Sequence, residues 1–164
     1  MKDFNQILSK LPPLSIPEAN LSFHCDKEGV KVFDILRRKF VAFTPEEYVR
    51  QSFVSWLINK FNYPASHMAN EVFMKLNGTN KRCDTVVYDN MGRPNLLIEY
   101  KAPYIKISED TINQIFRYNR VFNAKYLILS NGIYHLCCYL NPQNDKLEFL
   151  NSIPRYVEIC DNLN

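Results

Sequence analysis

The 164-residue sequence predicts an α/β domain in which a central sheet is flanked by helices, with an extra β-hairpin on its N-terminal side. Three observations predict it. Residues 44–61 open on a helix cap and repeat apolar side chains at helical spacing, and residues 108–123 do the same. Between and after them lie runs rich in valine, isoleucine, leucine and aromatic residues, bounded by turn signals. The resulting order is helix, three strands, helix, two strands. The length suits one core that closes without staples. The chain therefore reads as a single domain over 1–164, with an arm and hairpin over about 1–43 and the core over about 44–150.

The elements follow in chain order. Pro12, Pro13 and Pro17 make the first twenty residues an irregular arm. "LSFHC" and "VKVFDIL", separated by "DKEG", read as a hairpin, with a further short strand near "KFVAF". The first helix has Thr44 as N-cap, Pro45 at its first position and Glu47 three residues after the cap, the pattern of a capping box. Val49, Phe53, Trp56, Leu57 and Phe61 give it one apolar face, and "NYP" ends it. "NEVFMKL", "KRCDTVVYD" and "PNLLIEYKA" are the next strands, the last two joined through "NMGR" around Gly92. Ser108 caps the second helix, with Glu109 and Asp110 favourable to its dipole and Ile112, Ile115, Phe116 and Phe122 mostly on one side. "KYLILS" and "IYHLCCYL" form a hairpin on the Asn131-Gly132 signal, and "KLEFL" is a final strand.

Composition narrows the class. Hydrophobic residues at 46% and charged residues at 23% are ordinary for a globular chain, neither disordered nor fibrous. A net charge of +3 is too weak to indicate nucleic acid by itself. Five cysteines, an odd count with no Cys-x-x-Cys pair, read as reduced thiols of a cytoplasmic protein. The N-terminus has no signal-peptide core, and no apolar run is long enough to span a bilayer, so no membrane partner is expected. His135, Cys137 and Cys138 lack zinc-ligand spacing, and strand alternation sends Cys138 to the opposite face from the other two.

The chemistry concentrates in "LLIEYKAP", residues 96–103. Glu99 and Lys101 interrupt an apolar strand and, two apart, point to one side. A surface ion pair is the plain explanation. If Met91 and Gly92 are the central residues of the preceding turn, however, Asp84 faces Glu99 directly across the hairpin. Directly opposed carboxylates repel. A divalent cation removes the repulsion, and Mg²⁺, with Mn²⁺ as its substitute, takes one or two carboxylates and fills its shell with water and phosphate oxygens. Lys101 would then orient or deprotonate a water, or stabilise charge on a phosphate. A register slip of one residue would separate the set.

Asp84, a loop, and then Glu99-Tyr100-Lys101 resembles the PD-(D/E)xK nuclease signature, with Cys83 standing where the name-giving proline would be. Gln114 and Tyr118, four apart on the second helix, are similar to the Gln-x-x-x-Tyr element of the RecB-like branch. The ordered series "FDILRRKFVAFTPEEYVRQSFVSWLI", "KRCDTVVYD", "LLIEYKAP", "NQIFRYN" and "YLILSNGIYHLCCY" resembles the N-terminal nuclease domain of the R subunit of type I restriction enzymes, over roughly residues 30–140. The resemblance implies a restriction endonuclease-like core with a mixed sheet, and Mg²⁺-dependent hydrolysis of DNA phosphodiesters. It implies Asp84 and Glu99 as metal ligands, Lys101 as the catalytic lysine, and Gln114 and Tyr118 as residues that support the site or touch DNA. An acid from the first helix or strand sometimes joins such a metal shell; Glu71 is preferred over Glu47, which the helix cap already uses. Any motor must be a separate polypeptide, since no "GxxxxGK[ST]" occurs. DNA, separate motor or specificity subunits, and a second copy of the chain to cut both strands are the partners this implies. The alternative is a catalytically silent nucleic-acid-binding or protein-docking module with the same fold.

Overall fold

A computed structural model describes residues 7, 9–76, 78–144 and 146–161, with the side chains at 74, 76, 79, 81, 118 and 161 outside the description. The described residues form two sheets. Strands β1 (Phe23–Asp26), β2 (Gly29–Asp34) and β3 (Lys39–Ala42) make a small antiparallel meander ahead of helix α1 (Pro45–Phe61). Strands β4 (Met68–Leu76), β5 (Thr79–Tyr88), β6 (Pro94–Tyr100), β7 (Tyr126–Ser130), β8 (His135–Asn141) and β9 (Lys146–Leu150) form the main sheet in sequential order. The sheet is mixed: β6 and β7 are its parallel pair, because helix α2 (Glu109–Phe122) lies between them and carries the chain back. No helix among the described residues is long and apolar enough to cross a membrane.

Both faces of the sheet are covered, and strand alternation assigns each side chain to one. Leu96, Ile98, Tyr100, Ile128 and Cys137 pack with Val49, Phe53, Val54 and Leu57 of α1. Val86, Leu97, Leu127 and Cys138 pack with Ile115 of α2. This is the predicted α/β architecture, with a mixed sheet between helices. Tyr100 faces α1, with its ring 5.8 Å from that of Phe53. Helix α3 (Tyr156–Asp161), not anticipated from the sequence, adds Ile159 to the α1 side and takes a hydrogen bond of 2.7 Å from Asn95 Nδ2 to the Ile159 carbonyl.

Several local signals differ from their expected form: Ser108 stands at the N-cap of α2 but makes no side-chain bond to a backbone N–H, its Oγ lying 3.1 Å from Thr111 Oγ1. Thr44 Oγ1 accepts from Glu47 N at 3.0 Å, but the reciprocal half of the capping box is absent because the Glu47 carboxylate turns inward to Gln51, Arg50 and Arg37. The β7–β8 turn centres on Gly132 and Ile133 rather than on Asn131-Gly132, with Gly132 at φ +82° in the first central position, as a type II′ turn needs. The N-terminal arm lies over this turn, Ser15 N donating to the Gly132 carbonyl at 2.9 Å. A Cβ on Gly132 would sit 2.7 Å from Leu14 Cδ2 and 3.1 Å from Val49 Cγ2. Gly132→Ala should therefore lower stability by about 2 kcal/mol through combined strain and overpacking, read as a fall in the urea midpoint at unchanged m-value.

Candidate active site

The site begins with the register of one hairpin. Strands β5 and β6 pair Thr85 with Ile98, Val86 with Leu97 and Val87 with Leu96, and Asp84 and Glu99 are the residues just past the last paired step. That register was expected, but the turn that produces it was not. Asp89 N donates to the Arg93 carbonyl and Gly92 N to the Asp89 carbonyl, closing a three-residue loop over Asn90, Met91 and Gly92, with Gly92 at φ +73°. Such a loop alone would shift the pairing by one residue. A bulge between Val87 and Tyr88 absorbs the shift.

Asp84 and Glu99 are each only 5% exposed. Asp84 Oδ2 accepts from Tyr100 N at 2.8 Å and Oδ1 from Arg50 Nη2 at 2.9 Å. Lys101 Nζ stands 3.7 Å from Glu99 Oε1, close enough to attract it but too far for a hydrogen bond. Glu99 Oε2 is buried with no hydrogen-bond partner among the described residues. Burial, then the neighbouring Asp84 carboxylate, push the Glu99 carboxyl up to about 8, against the pull of Lys101 and Arg50. Burial also raises Asp84, although Arg50 and the Tyr100 N–H favour its charged form. Two buried carboxyl groups therefore lie close together, with the partly exposed Lys101 ammonium near one of them.

Arg50 was not singled out from the sequence, and it organises the site. Its Nη1 donates to Glu47 at 2.9 Å and to Glu71 at 2.5 Å, while Nη2 serves Asp84. Burial alone would pull its pKa down; Asp84, Glu47 and Glu71 outweigh that and hold it above the usual range. The sequence signal was its place in the stripe Arg50, Phe53, Leu57, where a charged group on an apolar helix face demands buried partners. Glu71 belongs to the cluster through Arg50 and through Arg82 Nε at 2.5 Å. It takes φ +60° at a step where the β4–β5 ladder pairs Asn70 with Thr85 and Val72 with Cys83 but leaves Glu71 and Asp84 unpaired between them. Glu47 is engaged by Arg37, Arg50 and Gln51, so it is side-chain bonding, not a capping box, that occupies it. Glu46, also not singled out, turns toward the site: burial, then Asp84, raise its carboxyl, while Arg50 and Lys101 lower it.

Gln114 is half-buried on α2, in the layer that covers the face to which Glu99 alternates. Tyr118 lies on the same helix, and its side chain is outside the described residues. Among the described residues no three His, Cys, Asp or Glu side chains are grouped to hold a metal ion. Mg²⁺ does not need three: one or two carboxylates suffice, with water completing the octahedron. The unpartnered Glu99 oxygen beside Asp84 fits that modest requirement.

No curated protein matches the sequence. Among solved structures, a fragment assigned to the HsdR subunit of a type I restriction enzyme from Vibrio vulnificus YJ016 superposes with a TM-score of 0.53 at 15% identity, over 70% of this chain and 24% of that one. The likeness establishes the shared fold, and this chain spans about a quarter of that protein's length. The family model for the type I restriction enzyme R protein N terminus matches residues 45–154, from the first residue of α1 to just before α3. The chain belongs to the family of type I restriction enzyme R protein N-terminal domains.

Proposed function

We propose that this domain is a Mg²⁺-dependent nuclease that hydrolyses DNA phosphodiester bonds, with Mn²⁺ able to replace Mg²⁺. The observation that carries the reading is the buried Asp84 and Glu99 beside Lys101, with one Glu99 oxygen left without a partner among the described residues. A bound divalent ion would supply Lewis-acid activation of water and phosphate. Asp84 and Glu99 would hold the ion; Arg50 and the Tyr100 N–H fix the Asp84 carboxylate while leaving lone pairs on both its oxygens. Lys101, partly exposed at the strand end, offers its ammonium to an attacking water or to a phosphate oxygen. Gln114 and Tyr118 would support the site from α2 or contact DNA, and Glu71 would join the ion's ligands only by sharing a carboxylate already held by Arg50 and Arg82. Family membership supports work alongside separate motor or specificity subunits, and a homodimer would bring two sites to the two strands of a duplex.

One observation favours a second reading. Arg50 already compensates Asp84 and Glu71, so the fold can keep much of its acidic cluster without an ion, as a silent nucleic-acid-binding or docking module would.

Three measurements test these readings. With supercoiled plasmid and Mg²⁺ or Mn²⁺, Asp84→Asn, Glu99→Gln and Lys101→Ala should each cut at least about a hundredfold more slowly than wild type; equal cutting by Lys101→Ala overturns the nuclease assignment. Arg50→Gln should lower stability by about 3 kcal/mol or more, because it leaves buried carboxylates uncompensated, and added Mn²⁺ should recover part of the loss if the cluster binds it. A loss that Mn²⁺ does not touch favours the silent module. The third is a pH series in EDTA. The folded pKa of Glu99, about 8, lies above its ordinary 4.5, so its contribution to stability is full below about 4.5 and is lost as pH rises through about 8. Glu99→Gln removes that loss and should exceed wild type in urea stability by about 2 kcal/mol or more at pH 8.5, with the gap closing toward pH 4.5.

A further inference from the structure

Immediately beyond Lys101 the chain builds a second feature that the hydrolytic residues do not use. Ala102–Ile105 form a turn, with Ile105 N donating to the Ala102 carbonyl at 2.9 Å, and Tyr104 stands 65% exposed on it. Across from it the β7–β8 turn presents Tyr134, 71% exposed. The two rings, with Ile105, Ile107 and Leu136, line an open cleft of about 580 Å³. The cleft lies past the C-terminal ends of the parallel strands β6 and β7, where Lys101 N donates to the Ser130 carbonyl at 2.9 Å. That is the crevice in which open parallel sheets place ligands.

The walls are held apart and in place by one residue. Asn131 is 3% exposed and satisfies both walls at once. Its Oδ1 accepts from Ile133 N at 3.0 Å and Tyr134 N at 2.8 Å, fixing the turn that carries one ring. Its Nδ2 donates to the Ile105 carbonyl at 2.8 Å, fixing the loop that carries the other. Two large rings exposed on a rigid frame keep apolar faces in water at a standing cost. Rigid aromatic faces beside a phosphate-handling site suit one ligand well: bases with their own faces free. Among the described residues that line the cleft, Lys106 is the cation and none is acidic, which complements a phosphate backbone.

We infer that Tyr104 and Tyr134 form a base-stacking platform that receives unpaired nucleotides of single-stranded DNA next to the hydrolytic centre. The inference rests on the nuclease reading above for the identity of the nucleic acid and adds the substrate form. Bases in an intact duplex hide their faces in the stack, so a duplex presents only edges and phosphates to these rings. A strand with unpaired bases can seat them in the cleft while its backbone passes Lys106 toward Lys101.

Fluorescence anisotropy on the full chain tests this in EDTA, where no cutting occurs. The probes are a fluorescein-labelled 12-nucleotide single strand of mixed sequence, the same strand with abasic sites, and the matching duplex. Wild type should bind the single strand more tightly than either of the others. The double variant Tyr104→Ala, Tyr134→Ala should lose about tenfold or more in affinity for the single strand, change duplex binding less than twofold, and keep the wild-type melting temperature. The corresponding Tyr→Phe pair should retain the affinity, because the ring and not the hydroxyl does the stacking. Equal binding of abasic and normal strands, duplex binding as tight as single-strand binding, no binding to any probe, or an unaffected alanine pair each overturns the inference. The two readings fail separately. A chain that stacks single strands but never cuts with Mn²⁺ loses only the nuclease assignment, whereas one that cuts plasmid without using the tyrosines loses only the platform.

Discussion

The buried guanidinium of Arg50 is the interaction on which the arrangement of the rest depends. It ties α1 to β4 through Glu71 and to β5 through Asp84, and it meets Glu47 one helical turn back on its own helix. Glu47 extends the network to Arg37, and Arg37 reaches Asp34 at the end of β2, which also accepts from Asn70 on β4. The small sheet, the first helix and the edge of the main sheet are thus joined by one chain of charge-assisted hydrogen bonds. Removing a member strands its neighbours in a medium that cannot solvate them. The same network explains how Glu71 keeps a left-handed backbone at φ +60°, a conformation that costs about 1 kcal/mol or more for a residue with a Cβ.

Satisfied networks of this kind are commonly structural, and by itself this one would be too. What separates the site from a scaffold is the neighbour that the network leaves out. Glu99, close to Asp84, has an oxygen to which none of the described residues donates, and Lys101 approaches without closing a hydrogen bond. A core selected only for stability would hold a glutamine or an apolar side chain there, since an uncompensated buried carboxyl costs more than either. Stability surrendered at a carboxyl, beside a network that satisfies its other carboxylates, is the physical mark of a group kept for chemistry.

Much of this was legible in the sequence, and the unread parts share a cause. Periodicity and caps located α1, α2 and the strands, because local chemistry decides them. The register of Thr85, Val86 and Val87 on Ile98, Leu97 and Leu96 follows from a two-residue turn in the sequence, which the structure replaces with a three-residue loop and a bulge; these two departures cancel, and hydrophobic parity alone would have required the same register. Arg50, Glu46 and the Tyr104–Tyr134 cleft were not legible, since each acquires its role from residues distant in sequence. Glu71 was chosen over Glu47 on the ground that a cap would occupy the latter. The structure occupies Glu47 with Arg37, Arg50 and Gln51, and ties Glu71 to two arginines of its own.

Cys83 stands where the signature that the sequence resembles carries a proline, and its surroundings say what the position asks for. It is fully buried on the α2 side of the sheet, among Val86, Leu97 and Ala124. Its thiol points to the carbonyls of Thr85 and Ile98, at 3.5 and 3.9 Å, and burial raises its pKa so that it stays neutral. A compact, uncharged side chain satisfies that niche, and cysteine behaves there as a small hydrophobe. An acidic residue would add to the repulsion already present at Asp84 and Glu99, and a longer one would press on the unpaired step at Glu71 and Asp84. The constraint at 83 is therefore steric and electrostatic, set by the two carboxylates it borders. A change of residue type that respects it leaves the geometry of Asp84, Glu99 and Lys101 intact.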